Sequence, residues 1–100
     1  NDGFNVRRMI KIYTINGCGY CNKLKVLLEK EGLPFEEVNA SEEENKEEYD
    51  EVRAACESDM VPIIRIENEL LVPEASFNTI EEAARITKKL YLKYQTPSGE

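Results

Sequence analysis

Two cysteines three positions apart, in Cys18-Gly19-Tyr20-Cys21, are the residues of this chain whose types and spacing could do chemistry. A thiolate is the nucleophile of disulfide exchange, and a second thiol one helical turn away can displace what the first has captured. Such a pair is a dithiol/disulfide couple, provided that something stabilises the first sulfur as an anion. A helix amino terminus does so, through its unpaired N–H groups and the positive end of its dipole. A bare Cys-x-x-Cys is also half of a zinc knuckle, so the surrounding elements decide the reading.

Those elements are legible on both sides. Met9-Ile10-Lys11-Ile12-Tyr13-Thr14-Ile15 is rich in β-branched and aromatic residues and reads as a strand. Leu24, Leu27 and Leu28 recur at helical spacing, so Tyr20 to Glu31 reads as an amphipathic helix, with Asn16 and Gly17 as the turn before it. Cys18 falls where a strand's carboxyl end meets a helix start. Gly32 then reads as a helix cap with Pro34 beyond it, and Phe35–Asn39 alternates with period two as a second strand. Strand, helix and strand in so few residues form a βαβ unit with parallel strands.

Ser41 and Glu44 have the spacing of a capping box opening a second helix, on which Tyr49, Val52 and Cys56 share a face. Met60 to Glu67 is expected as a third strand, with Pro62 as a strand opener. Asn68-Glu69 is expected to turn it into a fourth strand, Leu70–Val72, as an antiparallel hairpin. Thr79 and Glu82 form a second capping-box candidate. The helix they open carries Ile80, Ala83, Ala84, Thr87, Leu90, Tyr91 and Tyr94 as one stripe. The order β-α-β-α-β-β-α is an α/β fold, a four-stranded mixed sheet flanked by three helices. The domain is expected over residues 9–94. Residues 1–8 read as an N-terminal extension or an expression remnant ahead of Met9, and 95–100 as a flexible tail.

Composition narrows the function classes. Hydrophobic residues at 41% and charged residues at 33% in 100 residues describe one globular domain. Three cysteines, an odd number, argue against a disulfide-stapled secreted fold and suit a reducing, cytoplasmic setting. No run has the length of a membrane span, and Lys11 interrupts the only apolar stretch near the start that could serve as a signal core. The segment from Ser41 to Asp59 holds nine acidic and two basic residues, which accounts for the whole net charge of −7. It reads as a solvated helix face, or else as a patch that steers basic partner proteins and repels nucleic acid. Lys23 and Lys25 read as an ordinary solvated face.

The run Ile12-Tyr13-Thr14, the Cys18-Gly19-Tyr20-Cys21 motif and Met60-Val61-Pro62 ahead of a hairpin together resemble the glutaredoxins, of the thioredoxin-like fold. The resemblance spans residues 9 to about 93. It implies an enzyme that reduces protein disulfides and glutathione mixed disulfides and is itself reduced by glutathione. Cys18 would be the nucleophile and Cys21 the resolving thiol, at a potential of roughly −200 to −230 mV. It implies a cis Pro62 beside the cysteines, with the backbone of Val61 pairing with bound peptide or glutathione. Tyr20, standing where thioredoxins carry proline, points to the glutaredoxin side of the fold. Tyr20, Met60, Val61 and Pro62 are therefore the expected glutathione or substrate contacts, joined by helix-start donors from Ser76, Asn78 or Thr79. A monomer is expected, with no resident cofactor and no metal. Its partners would be glutathione and disulfide-containing proteins, among which the family suggests ribonucleotide reductase.

The chain departs from the family pattern in three places. Gly19 stands where proline is usual, and Ile15 where a lysine usually meets a glutathione carboxylate. The stretch Val72-Pro73-Glu74-Ala75-Ser76-Phe77-Asn78-Thr79 replaces a Gly-Gly pair. The alternatives weighed against an oxidoreductase are three. A zinc module, with three cysteines and no histidine, would need an acidic ligand or a second chain to complete its four ligands. An iron–sulfur carrier would use Cys18 and glutathione in a dimer. A non-catalytic thioredoxin-fold interaction module would have no need of the intact cysteine pair.

Overall fold

The computed structural model describes residues 10–95. The expected extension at 1–8 and the tail beyond Gln95 lie outside the described residues. Strand β1 (Ile10–Thr14) leads through a turn to helix α1 (Gly19–Lys30), then strand β2 (Phe35–Asn39). A single 3-10 turn (Glu43–Asn45) precedes helix α2 (Lys46–Cys56). Strands β3 (Ile63–Ile66) and β4 (Glu69–Leu71) form a hairpin, and helix α3 (Ile80–Gln95) closes the chain. The sheet order is β2-β1-β3-β4. β1 pairs with β2 in parallel, Ile10 opposite Phe35 through Thr14 opposite Asn39, and antiparallel with β3, Tyr13 opposite Ile63. This is the four-stranded mixed sheet with three helices that the sequence implied.

Period two sorts each strand's side chains between two faces. Ile10 and Ile12 of β1 and Ile64 and Ile66 of β3 point to the side covered by α1 and α3, where they meet Leu24, Leu28, Phe77, Ile80 and Ala83. Tyr13 and Ile63 point to the other side, where Val38 and Val52 complete a smaller cluster under α2, with Tyr49 and Cys56 at its margin. Burying one such aliphatic side chain is worth roughly 1.5–3 kcal/mol, so the larger cluster dominates the stability of the domain. β1 is central and flanked on both edges. It carries the load that fixes the site at its carboxyl end.

Local chemistry explains most element ends. Gly32, at φ 73°, closes α1 with a paired motif in which Leu33 N–H reaches Leu28 O and Gly32 N–H reaches Glu29 O. At α3, Thr79 Oγ1 accepts from Glu82 N–H at 3.0 Å, and Glu82 Oε1 accepts from Asn78 N–H at 2.8 Å. The second capping box is realised there with its return bond one residue early.

Other expectations are corrected. Ser41 does not cap α2. Its hydroxyl accepts from Asn16 N–H and its own N–H is held by Asn39 Oδ1, so the chain makes a 3-10 turn and α2 starts at Lys46. The third strand begins after Pro62 rather than at Met60. The hairpin turn is Glu67-Asn68, one residue earlier than expected, because Glu67 takes up the left-handed conformation at φ 54°. α1 starts at Gly19 rather than Tyr20, and α3 includes Gln95.

Candidate active site

Cys18 is the N-cap of α1. Its backbone is extended, at φ −91° and ψ 111°, and its Sγ accepts a hydrogen bond from Cys21 N–H at 3.1 Å. Its carbonyl accepts from Asn22 N–H at 3.2 Å. The sulfur thus takes the place that a Ser, Thr, Asp or Asn oxygen takes at most helix starts. The first turn of α1 contains no acidic residue, so no carboxylate competes for the positive end of the dipole. Both motif cysteines are free thiols.

The two thiols differ. Cys18 is half-buried, whereas Cys21 is buried against the sheet. Burial first, and then the hydrogen bond with Cys18, push the Cys21 thiol up to about 12, with a backbone hydrogen bond from Ile15 working the other way. Nearby charge adds to the push. The Thr14 hydroxyl donates to Glu37 Oε2 at 2.7 Å, and Lys25 Nζ donates to Oε1 at 2.9 Å. The Thr14 bond foremost, then Lys25, hold the Glu37 carboxyl below its usual range despite some burial. An ionised Glu37 disfavours a second anion at Cys21. The outer sulfur is presented and the inner one is kept protonated until it is needed.

The turn carrying Cys18 is tied down by the last residue of β2 and the two that follow it. Asn39 Nδ2 donates to Asn16 Oδ1 at 2.8 Å, Ser41 Oγ receives Asn16 N–H at 3.0 Å, and Ala40 N–H extends the ladder to Thr14 O at 2.7 Å. Lys23 and Lys25, read from the sequence as solvated, are each ion-paired, with Glu81 at 2.7 Å and with Glu37 at 2.9 Å.

The register Tyr13 opposite Ile63 places Pro62 and Val61 at the end of the sheet where β1 hands over to Cys18. The Val61–Pro62 peptide bond is cis, as the resemblance implied. Tyr20, Met60, Val61, Pro62, Asn78 and Thr79, six of the seven expected contacts, line one cleft of about 220 Å³. Ser76 does not line it. Its hydroxyl accepts from Val72 N–H at 3.0 Å, closing the turn that precedes α3. Pro73, Glu74, Phe77 and Ile80 complete the walls. Sequence reasoning missed these four as individual residues. The turn that orients them, with Glu74 N–H bonded to Phe77 O at 2.8 Å and Glu74 at φ 71°, has no local signature. Of the cleft's lining residues Tyr20 and Met60 are exposed at 69% and 39%, and Ile15, whose backbone bonds to Cys21, is exposed at 41%, so that large apolar side chains form a rim beside the cysteine pair.

Among the described residues, no cluster of three or more Cys, Asp or Glu side chains is arranged to hold a metal, and no helix is long and apolar enough to cross a membrane.

Comparison with known proteins agrees with this geometry. Residues 10–71 match the glutaredoxin family model. The chain is 33% identical over 73 residues to an uncharacterized glutaredoxin-like 8.6 kDa protein in the rubredoxin operon of Clostridium pasteurianum, covering 73% of this chain and 91% of that one. It is 31% identical over 88 residues to glutaredoxin 1 of Rickettsia prowazekii, covering 86% and 90%. The crystal structure of glutaredoxin 1 from Francisella tularensis superposes with a TM-score of 0.57 at 27% identity, over 80% of this chain and 96% of that one.

Proposed function

The chain belongs to the glutaredoxin family, and from that premise we propose that it is a thiol–disulfide oxidoreductase acting through Cys18 and Cys21. The observation that carries the reading is the asymmetry of the pair, with Cys18 Sγ capping α1 and Cys21 buried and protonated behind it.

The Cys18 thiolate attacks one sulfur of a substrate disulfide. A Cys18–substrate bond forms, the substrate S–S bond breaks, and the departing thiolate takes up a proton. Cys21 then attacks the Cys18 sulfur, losing its proton to the second departing thiolate. The products are two substrate thiols and a Cys18–Cys21 disulfide, so two electrons have passed to the substrate. Two equivalents of an external thiol, glutathione being the family's reductant, reverse the internal disulfide and leave as their own disulfide. Formation of the mixed disulfide removes the negative charge from Cys18 and with it a cause of the high Cys21 value. The resolving thiol becomes easier to ionise when its turn comes.

Disulfide-containing proteins are the proposed substrates, and a reducing compartment such as the cytoplasm is where a dithiol of this kind would be kept in its working form. The test is turnover of a mixed disulfide by the purified chain, with glutathione or a small dithiol as electron donor. Activity that is lost on alkylating Cys18 supports the reading. Absence of turnover with both donors overturns it.

A further inference from the structure

The charges around the cleft are one-sided. Among the described residues, no lysine or arginine lines it, and its one carboxylate is that of Glu74. Among the described residues no hydrogen bond or ion pair engages that carboxylate, while the backbone of Glu74 is fixed by its bond to Phe77 O. Lys23 of α1 is paired with Glu81 at 2.7 Å. At the start of α3, two donors are already taken within the chain, Asn78 N–H by the Glu82 carboxylate and Glu82 N–H by Thr79 Oγ1. Beyond Met60 the chain runs directly into Asp59 and Glu57, which with Asp50 and Arg53 line a further depression, three acids to one base. An arriving ammonium or guanidinium would find an unpaired carboxylate in the cleft, and an arriving carboxylate would find no lysine or arginine there. The floor, by contrast, is apolar, formed by Pro62, Pro73, Phe77 and Ile80.

Resting on the dithiol reading above, we propose that the cleft accepts an extended segment of a disulfide-bonded protein in which a lysine or arginine lies beside the reacting cysteine and pairs with Glu74. The apolar neighbours of that cysteine lie on the floor and against the rim of Ile15, Tyr20 and Met60. The acidic face from Ser41 to Asp59 steers such basic surfaces toward the site and disfavours anionic thiol compounds.

The experiment uses the full chain, reduced beforehand, in single turnover against three peptides joined by a disulfide to one neutral reporter thiol. They differ in the residue beside the cysteine, which is Lys, Gln or Glu. The expected order is Lys, then Gln, then Glu, each step being about fivefold or less, as for one exposed ion pair. The steps collapse at 1 M salt, where screening acts over about 3 Å. Glu74→Gln brings the Lys and Gln peptides to equal rates. Glu74→Gly, which suits the positive φ and so removes the charge without backbone strain, does the same. Equal rates for all three peptides with the unaltered chain, or a Lys preference that survives both substitutions, overturns the proposal and leaves the dithiol reading standing. Failure to reduce any of the three overturns both.

Discussion

Helices α1 and α3 begin at the same end of the molecule and solve the same problem in opposite ways. Each start exposes N–H groups that need acceptors. α1 gives one of them to the Cys18 sulfur and keeps acids out of its first turn. α3 gives Glu82 N–H to Thr79 Oγ1 and Asn78 N–H to the Glu82 carboxylate, and carries Glu81 and Glu82 in its first turn. The field that α3 uses for its own stability is left at α1 for a reacting atom. A helix start becomes a catalytic device when the acceptor it holds is one that can leave it.

The largest expected effect breaks the α1 side of this comparison. Cys18→Ser should abolish all thiol transfer while leaving the helix start intact, because serine is itself a favoured N-cap. Circular dichroism separates the two outcomes, and dithiol activity surviving in this variant would sink the assignment of roles. Cys21→Ser should lose reduction of protein disulfides yet retain deglutathionylation, which needs one thiol only.

Next comes the handling of glutathione. Ile15 stands beside the site, 41% exposed, so a lysine there costs no core packing. Ile15→Lys restores a charge-assisted contact of a kind worth about 1.5–3 kcal/mol. The apparent KM for glutathione should fall about ten- to a hundredfold. Steady-state kinetics on a glutathionylated peptide decide this, and an unchanged KM would mean that other groups already serve the carboxylate.

A smaller effect is expected at α3. Glu82→Ala removes the return bond to Asn78 N–H and should cost about 1 kcal/mol. For a domain of this size that lowers Tm by about 4–8 °C. The freed donor should also ease glutathione binding, whereas the reduction of a neutral peptide disulfide should change little. A stability loss with no change in glutathione KM would show that α3's own cap does not compete with the substrate.

How much of this was open to sequence reasoning follows from the range of each interaction. The βαβ start, the cysteine position and the cap at Thr79 depend on neighbours within a turn or on periodicity, and they were legible. Ser41 and Glu44 have capping-box spacing, but Ser41 is claimed by Asn16 across 25 positions. The Thr14–Glu37–Lys25 group under Cys21 is likewise assembled only by the parallel pairing of β1 with β2. Spacing along the chain carries no trace of it. Ser76 and Glu74 lie two residues apart in one short turn, and only its folded path tells which of them faces the cleft.

The smallest expected effect concerns the third cysteine, which occupies the opposite end of a helix from Cys18. Cys56 is the last residue of α2, where the dipole presents its negative end and disfavours a thiolate. Burial also raises its thiol above the ordinary value. It packs at the margin of the Tyr13, Val38, Val52 and Ile63 cluster, as a small hydrophobe would. Cys56→Ala should therefore leave turnover unchanged and cost about 1 kcal/mol or less, since the side chain is only partly buried and the site can close around alanine. Iodoacetamide should modify Cys18 well before Cys56 in the folded chain, and peptide mapping against time measures the order. Rapid alkylation of Cys56 with loss of activity would place a second reactive thiol at a helix end that ought to suppress one. In that case the contrast between helix ends would not be what sets cysteine reactivity in this fold.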